Sequence, residues 1–250
     1  MGPGNTSQQH ANSEIHLLNL AQDLERADHE DAVAVAFQEF IENAGFTSFS
    51  CRRFQPAALV GPESILLSTT PQTWRDLYQE RGWGVHDPIL QELRGRCCSF
   101  VWSEVLSGNS LTAPQQELMR EAVAIGLVDG FGISIHEAGG YVGTVNLAAT
   151  SVNLDPAGRA TLALASVYLY QRLCALHAAA QRCAGKRLSP REIEILRWIT
   201  EGKSDWQIGR ILAISDKTVN YHIENVKRKF GVATRVQAVV SAIQQGSLSY

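Results

Sequence analysis

Long apolar runs are missing from this 250-residue chain: none approaches the roughly 20 residues that a membrane-spanning helix needs. The opening stretch MGPGNTSQQHANSE lacks the basic and apolar regions of a secretory signal, so a cytoplasmic protein without membrane contact is expected. Gly2 and Thr6 fit a myristoylation pattern only formally, with Pro3 an awkward neighbour. Cysteine is sparse and odd in number: Cys51, Cys97, Cys98, Cys174 and Cys183 show no paired metal-ligand spacing, so reduced thiols and no metal site are expected. Cys174 and His177 share a helix face, but two ligands do not close a zinc site. Burial is expected for the adjacent Cys97 and Cys98. An activated nucleophile, a phosphate-binding glycine loop and a metal constellation are also lacking, which argues against an enzyme.

Excess charge of either sign is small overall, with a net of -3, yet charge is unevenly placed. Residues 186–250 hold 11 of the 22 basic and 6 of the 25 acidic residues, a net of +5, and leave the remainder at -8. One end of the chain suits a polyanion and the other does not. At 27.4 kDa and 45% hydrophobic residues, two domains with their own cores are expected.

The basic end reads as four helices. Ser189-Pro190-Arg191-Glu192 places a cap, a proline at the first helical position and a glutamate that bonds back to the cap. Ile193, Leu196 and Ile199 give an apolar face, and Gly202 supplies a left-handed stop. Ser204 to Gln207 repeats the capping box, Ser215-Asp216 opens a third helix after a turn of about three residues, and Thr234 to Gln237 opens a fourth, running to Gly246. On the third helix Val219, Ile223, Val226 and Phe230 form one buried stripe. Lys217, Thr218, Asn220, Tyr221, Glu224, Asn225 and Arg228 occupy the polar face, with Lys227 and Lys229 at its flanks. Asn and Arg suit purine edges, while Lys, Thr and a helix N-terminus suit phosphates, so this helix reads as a major-groove reader of double-stranded DNA. Ala238, Ala242 and Ile243 on the fourth helix suit self-association.

The run from Leu188 to Gly246 resembles the DNA-binding domain of LuxR-type regulators, whose most recurrent positions fall on Glu192, Leu196 and Gly202. That domain also serves phosphorylated response regulators, so the input signal must come from the other half.

Residues 13–182 read as an α/β/α sandwich around an antiparallel sheet, after a disordered stretch 1–12. Helical patterns cover about 13–27 and 30–44, strands 47–53 and 64–68, helices from Pro71 past Leu93 and 114–126, and strands 130–135 and 141–148 around the turn EAGG. Asp155-Pro156 starts a long helix, apolar nearly all round from Leu162 to Leu169, which is buried or dimeric. A linker, 183–188, follows, and 189–250 complete an α+β protein with an all-α end. No receiver-like order of phosphoacceptor residues is present.

Trp74 and Tyr78, one helical turn apart, form an aromatic wall with one N–H and one O–H donor, and Asp87 before Pro88 supplies an acceptor. With Trp102 they fit either a cavity for a small, mostly apolar molecule or a plain aromatic core with a capping aspartate. In LuxR-type quorum-sensing regulators the autoinducer domain carries Trp, Tyr, Asp, Trp and Gly at separations of 4, 9, 15 and 28, and Trp74, Tyr78, Asp87, Trp102 and Gly130 match all four. The resemblance implies an N-acyl homoserine lactone with its lactone carbonyl on Trp74, its acyl carbonyl on Tyr78, its amide N–H on Asp87 and its ring against Trp102. Gly130 would be structural. Asn146 stands where many relatives have Ser or Thr near the acyl chain, with Thr144 on the same strand face. A larger amide there bonds a 3-oxo group, shortens the pocket, or favours an aryl acyl group. The implied protein is a homodimer that binds paired half-sites and, as an activator, would meet RNA polymerase. A ligand-independent regulator or anti-activator is the alternative.

Overall fold

The computed structural model describes residues 4–54, 64–108, 110–137, 142–183, 188–244 and 247–248, with side chains of 4–14, 181–183 and 244 left aside. The chain divides into two units, the boundary falling within one long helix after Leu176.

In the first unit two helices, α1 (Gly4–Arg26) and α2 (Glu30–Asn43), precede strand β1 (Ser48–Phe54). Strand β2 (Ser64–Ser68), helix α3 (Gln72–Glu80), a 3-10 turn at Trp83–Val85 and helix α4 (Pro88–Gly95) follow. Strand β3 (Phe100–Val101) runs straight into helix α5 (Trp102–Leu106). Helix α6 (Ala113–Ala124), strands β4 (Asp129–His136) and β5 (Val142–Ala149) and helix α7 (Pro156–Cys183) complete the order. The strands form one antiparallel sheet in the order β2-β1-β5-β4-β3.

Alternation along the strands divides the unit into two layers of core. Phe49 and Cys51 on β1, Phe131 and Ile133 on β4, and Val145 and Leu147 on β5 pack with α1, α2 and α7. Phe37 of α2 meets Phe49 edge-on at 4.8 Å between ring centres; each fully buried phenylalanine contributes about 1.5–3 kcal/mol. The opposite face carries smaller and polar groups, Ser50 and Arg52 on β1, Gly130 and Gly132 on β4, and Asn146 and Ala148 on β5, beneath the layer of α3 to α6. The sheet is thus dry on one side and leaves room on the other.

Helix α1 starts at Gly4, not near residue 13, and takes in most of the stretch expected to be disordered. Beyond Gly4 that stretch holds neither proline nor glycine, so nothing interrupts a helix. The expected helices from Pro71 past Leu93 are α3 and α4: between them Gly82 adopts a left-handed conformation with φ 62°, and α4 starts behind the cap at Asp87. Cys97 and Cys98 are exposed, against expectation, because they sit in the short loop between α4 and β3. Residues 138–140 of the EAGG turn and most of the linker lie outside the described residues.

The second unit holds α8 (Pro190–Thr200), α9 (Asp205–Leu212), α10 (Asp216–Phe230) and α11 (Arg235–Gln244). Ser189, Ser204 and Ser215 all act as side-chain caps, and Gly202 and Gly231 close helices at φ 73° and 67°. Gly209 is required by packing: a Cβ there would stand 2.7 Å from the Ile214 carbonyl oxygen, so only glycine lets α9 close onto the turn before α10.

Candidate functional site

Between the sheet and α3 to α6 lies a cavity of about 630 Å³, a volume that suits a small organic molecule. Trp74, Tyr78, Asp87, Trp102 and Asn146 all line it. One turn of α3 places Trp74 and Tyr78 side by side, ring centres 5.9 Å apart, and Trp83 backs both from the buried side at 5.5 and 6.3 Å. Asp87 caps α4: its Oδ1 accepts from the amides of Ile89 and Leu90 at 2.9 and 3.0 Å, while its Oδ2 accepts from the Tyr78 hydroxyl at 2.9 Å. The capping bonds fix the carboxylate, which turns its second oxygen toward the aromatic wall.

Trp102 opens α5, and its indole N–H donates to Asn146 Oδ1 at 2.8 Å. A Cβ on Gly130 would stand 2.3 Å from both the Leu147 carbonyl oxygen and Trp102 Cε2, so the indole lies directly against the backbone of β4. Asp129 secures this corner by accepting from the Ser103 amide and hydroxyl and from the Gly130 amide, at 2.8 to 3.0 Å. Asn146 therefore holds Trp102 through its Oδ1 while lining the cavity. Thr144, two residues away on the same strand face, is buried and is not among the described cavity-lining residues.

Several lining or supporting groups escaped the sequence reading. Trp83 sits between two glycines, a pattern that could have marked it; Asp129 adjoins Gly130. Ser50, Arg52 and Arg94 had no local signal, since strand register and helix phase alone bring them to the cavity. The Arg52 guanidinium lies 5.3 Å over the Tyr78 ring, and that of Arg94 lies 4.2 Å over Phe54. Among the described residues no group of three or more His, Cys, Asp or Glu is placed to hold a metal, and no helix is long and apolar enough to cross a membrane.

In the second unit, α10 buries Val219, Ile223 and Val226 and turns Lys217, Asn220, Tyr221, Glu224 and Arg228 outward, with Thr218 and Asn225 half-buried. Thr218 donates its amide to Ser215 at the helix start, and Arg228 bonds Asn225 one turn back. Lys229 does not flank this face. It turns inward to Glu192 at 2.7 Å, where the carboxylate also accepts from the Ser189 amide at 2.6 Å. Burial opposes ionisation of Glu192, but the Lys229 ammonium and the Ser189 amide outweigh it and hold the carboxyl below the usual range. Leu196 is fully buried. Ala238 and Ala242 are buried within the unit and Ile243 packs on the same core, so the apolar pair that α11 exposes is Val236 and Val240 instead.

Residues 29–173 match the autoinducer binding domain, and residues 186–242 match the bacterial regulatory proteins of the luxR family. The chain is 32% identical over 215 residues to the HTH-type quorum sensing-dependent transcriptional regulator RpaR of Rhodopseudomonas palustris, covering 86% of this chain and 88% of that protein. It is 31% identical over 182 residues to the transcriptional activator BjaR1 of Bradyrhizobium diazoefficiens, covering 73% and 75%. The crystal structure of Escherichia coli SdiA shares the fold, with a TM-score of 0.74 at 21% identity over 94% of this chain and 98% of that one. The chain therefore belongs to the luxR family, as a quorum-sensing transcriptional regulator, not an enzyme, in which an autoinducer-binding domain precedes a helix-turn-helix DNA-binding domain.

Proposed function

We propose that this regulator is cytoplasmic and binds an N-acyl homoserine lactone in the cavity between the sheet and α3 to α6, and that the liganded homodimer reads a two-fold symmetric promoter site with α10. The observation that carries this reading is the carboxylate of Asp87, fixed by two backbone amides and bonded to Tyr78 in a cavity walled by tryptophans. A fixed acceptor beside an O–H donor suits a secondary amide, which brings one N–H and one carbonyl. The Tyr78 hydroxyl has one proton and donates it to Asp87. An incoming amide N–H takes its place on Oδ2 and frees the hydroxyl to donate to the acyl carbonyl. The Trp74 N–H then serves the lactone carbonyl, and Trp102, held flat by Asn146 and Gly130, covers the lactone ring.

Dimerisation is supported by the exposed pair Leu164 and Tyr168, one turn apart on α7, and by Val236 and Val240 on α11. On α10, Asn220, Asn225 and Arg228 suit base edges, while Lys217, Thr218 and Tyr221 suit phosphates, with Glu224 placed to accept from cytosine. Where the operator lets the dimer activate, it would meet RNA polymerase.

Ligand that binds only the folded state stabilises it by about 2.7 kcal/mol at a hundredfold excess over Kd. The test is the melting temperature of the full-length protein, with promoter binding in parallel, against lactones with short, long, 3-oxo and aryl acyl groups. A selective rise of several degrees that accompanies tighter DNA binding is expected. Equal melting and equal DNA affinity with every lactone would identify a ligand-independent regulator instead.

A further inference from the structure

Cysteine is among the residue types most often buried, yet Cys97 and Cys98 stand exposed, side by side in the chain. Cys51, by contrast, is fully buried, and burial pushes its thiol up and leaves it unreactive. The exposed pair belongs to the stretch 97–99 between Arg96, which ends α4, and Phe100, which starts β3, and both ends of that stretch are fastened. On the α4 side the Arg96 carbonyl accepts from His136 Nε2 at 3.1 Å, and Arg96 Nε donates to Glu92 at 2.5 Å. Leu93, one turn back and fully buried, bonds through its carbonyl to the Ser134 hydroxyl. On the β3 side Phe100 is buried, pairs with Gly132 and carries the Arg96 guanidinium 5.5 Å from its ring centre. Asp87 caps the helix that leads into the stretch, and Trp102 opens the helix that follows it, so the stretch joins two elements of the cavity.

Consecutive Cα atoms lie about 3.8 Å apart across a trans peptide, whereas a relaxed disulfide spans about 4.4–6.8 Å. Joining the two sulfurs therefore distorts the backbone at 97–98, and between fixed ends the distortion passes to Arg96 and Phe100. A bond so strained and exposed is readily reduced, which suits a switch and not a brace. We propose that Cys97 and Cys98 are a reversible oxidation site for small disulfides of the glutathione class, and that closing the ring loosens the corner that holds Trp102. Weaker lactone binding follows, a consequence that rests on the reading of the cavity above. One thiolate attacks the small disulfide, releases one thiol and leaves a mixed disulfide. The neighbouring thiolate then attacks the protein sulfur of that bond and expels the second thiol. The protein gives up two electrons and two protons, and the small disulfide becomes two thiols.

The test treats the full-length protein with oxidised glutathione and follows intact mass, melting temperature and affinity for a panel of N-acyl homoserine lactones, alongside Cys97→Ser and Cys98→Ser. Expected is a loss of two hydrogens that maps to residues 97–98 and is reversed by dithiothreitol. The closed form should melt lower and bind lactone about tenfold more weakly, which takes only a small part of the strain such a ring stores. Each serine variant should bind lactone as the reduced natural protein does, accept a glutathione on the remaining thiol, and show no loss of two hydrogens. Adducts on the natural protein without ring closure overturn the inference, as does closure that moves neither melting nor affinity. A two-hydrogen loss that persists in either serine variant also overturns it, by assigning the bond to other cysteines. Binding of no lactone by the reduced protein would overturn the reading of the cavity, and the switch would then stand or fall on mass and melting alone.

Discussion

Tyr78 and Asp87 lie on different elements, nine residues apart in sequence, and meet in a 2.9 Å hydrogen bond from hydroxyl to carboxylate Oδ2. The other oxygen of Asp87 holds the start of α4. One side chain thus ends a loop, begins a helix and faces the cavity, so its two oxygens can be tested apart.

Asp87→Asn separates them. Asparagine caps helices about as well as aspartate, so its carbonyl oxygen can keep the two backbone amides and folding should change by less than about 1 kcal/mol. The NH2 group then faces the ligand amide N–H, donor against donor, while the Tyr78 hydroxyl can turn to accept from it. Lactone affinity is expected to fall by about ten- to a hundredfold, as for loss of a hydrogen bond to a charged group. A lactone dose response alongside the unliganded melting temperature checks both halves of this expectation.

Gly130→Ala probes the opposite kind of residue, one with no polar group to offer. Its Cβ would collide with the Leu147 carbonyl and the Trp102 indole, neither of which can yield without disturbing β5 or the Asn146 bond. Overpacking of this kind costs about 1–3 kcal/mol. The melting transition of the first unit should move down, and lactone should restore less of it than in the natural protein, because Trp102 is the group displaced.

The capping boxes were legible because Ser-x-x-Glu and Ser-x-x-Gln act within one helical turn; Ser189 with Glu192 and Ser204 with Gln207 bond reciprocally where the spacing predicts. The Trp, Tyr and Asp of the cavity were legible through the resemblance, whose separations they match; the residues alone fitted a plain aromatic core as well. Arg52 and Arg94 were not legible, since their arrival depends on β1 pairing with β5 and on the phase of α4, neither of which leaves a local pattern. Strand β3 has two residues, too few for alternation to appear. Lys229 misled for a related reason: position on a basic helix suggests DNA, yet the buried carboxylate of Glu192 claims it.

That pair gives a pH-dependent prediction. Glu192 is 3% exposed and its carboxyl is held below the usual range, so its ionised form stabilises the fold. The contribution is present above the unfolded glutamate value of about 4.3 and is lost as pH falls through the lower folded value. Glu192→Gln should therefore cost roughly 1.5–3 kcal/mol at neutral pH, and the difference from the natural protein should shrink in acid. Hydrogen exchange over residues 190–230 as a function of pH measures it, and a difference independent of pH would assign the effect to packing.

Asn225 and Arg228 are bonded to each other on α10, so each orients its partner before DNA arrives. If they read base edges, Asn225→Ala should cost about 1–3 kcal/mol at particular base pairs and leave other operator variants nearly unchanged. Because the Arg228 guanidinium loses its guide, the same substitution should also relax preference at the base pair that Arg228 meets. Lys217→Ala should act differently, weakening every sequence alike and lowering the salt slope by about one. Binding to a panel of single-base operator variants at two salt concentrations separates these outcomes. A uniform loss for Asn225→Ala with a reduced salt slope would move the pair from base reading to the phosphate backbone.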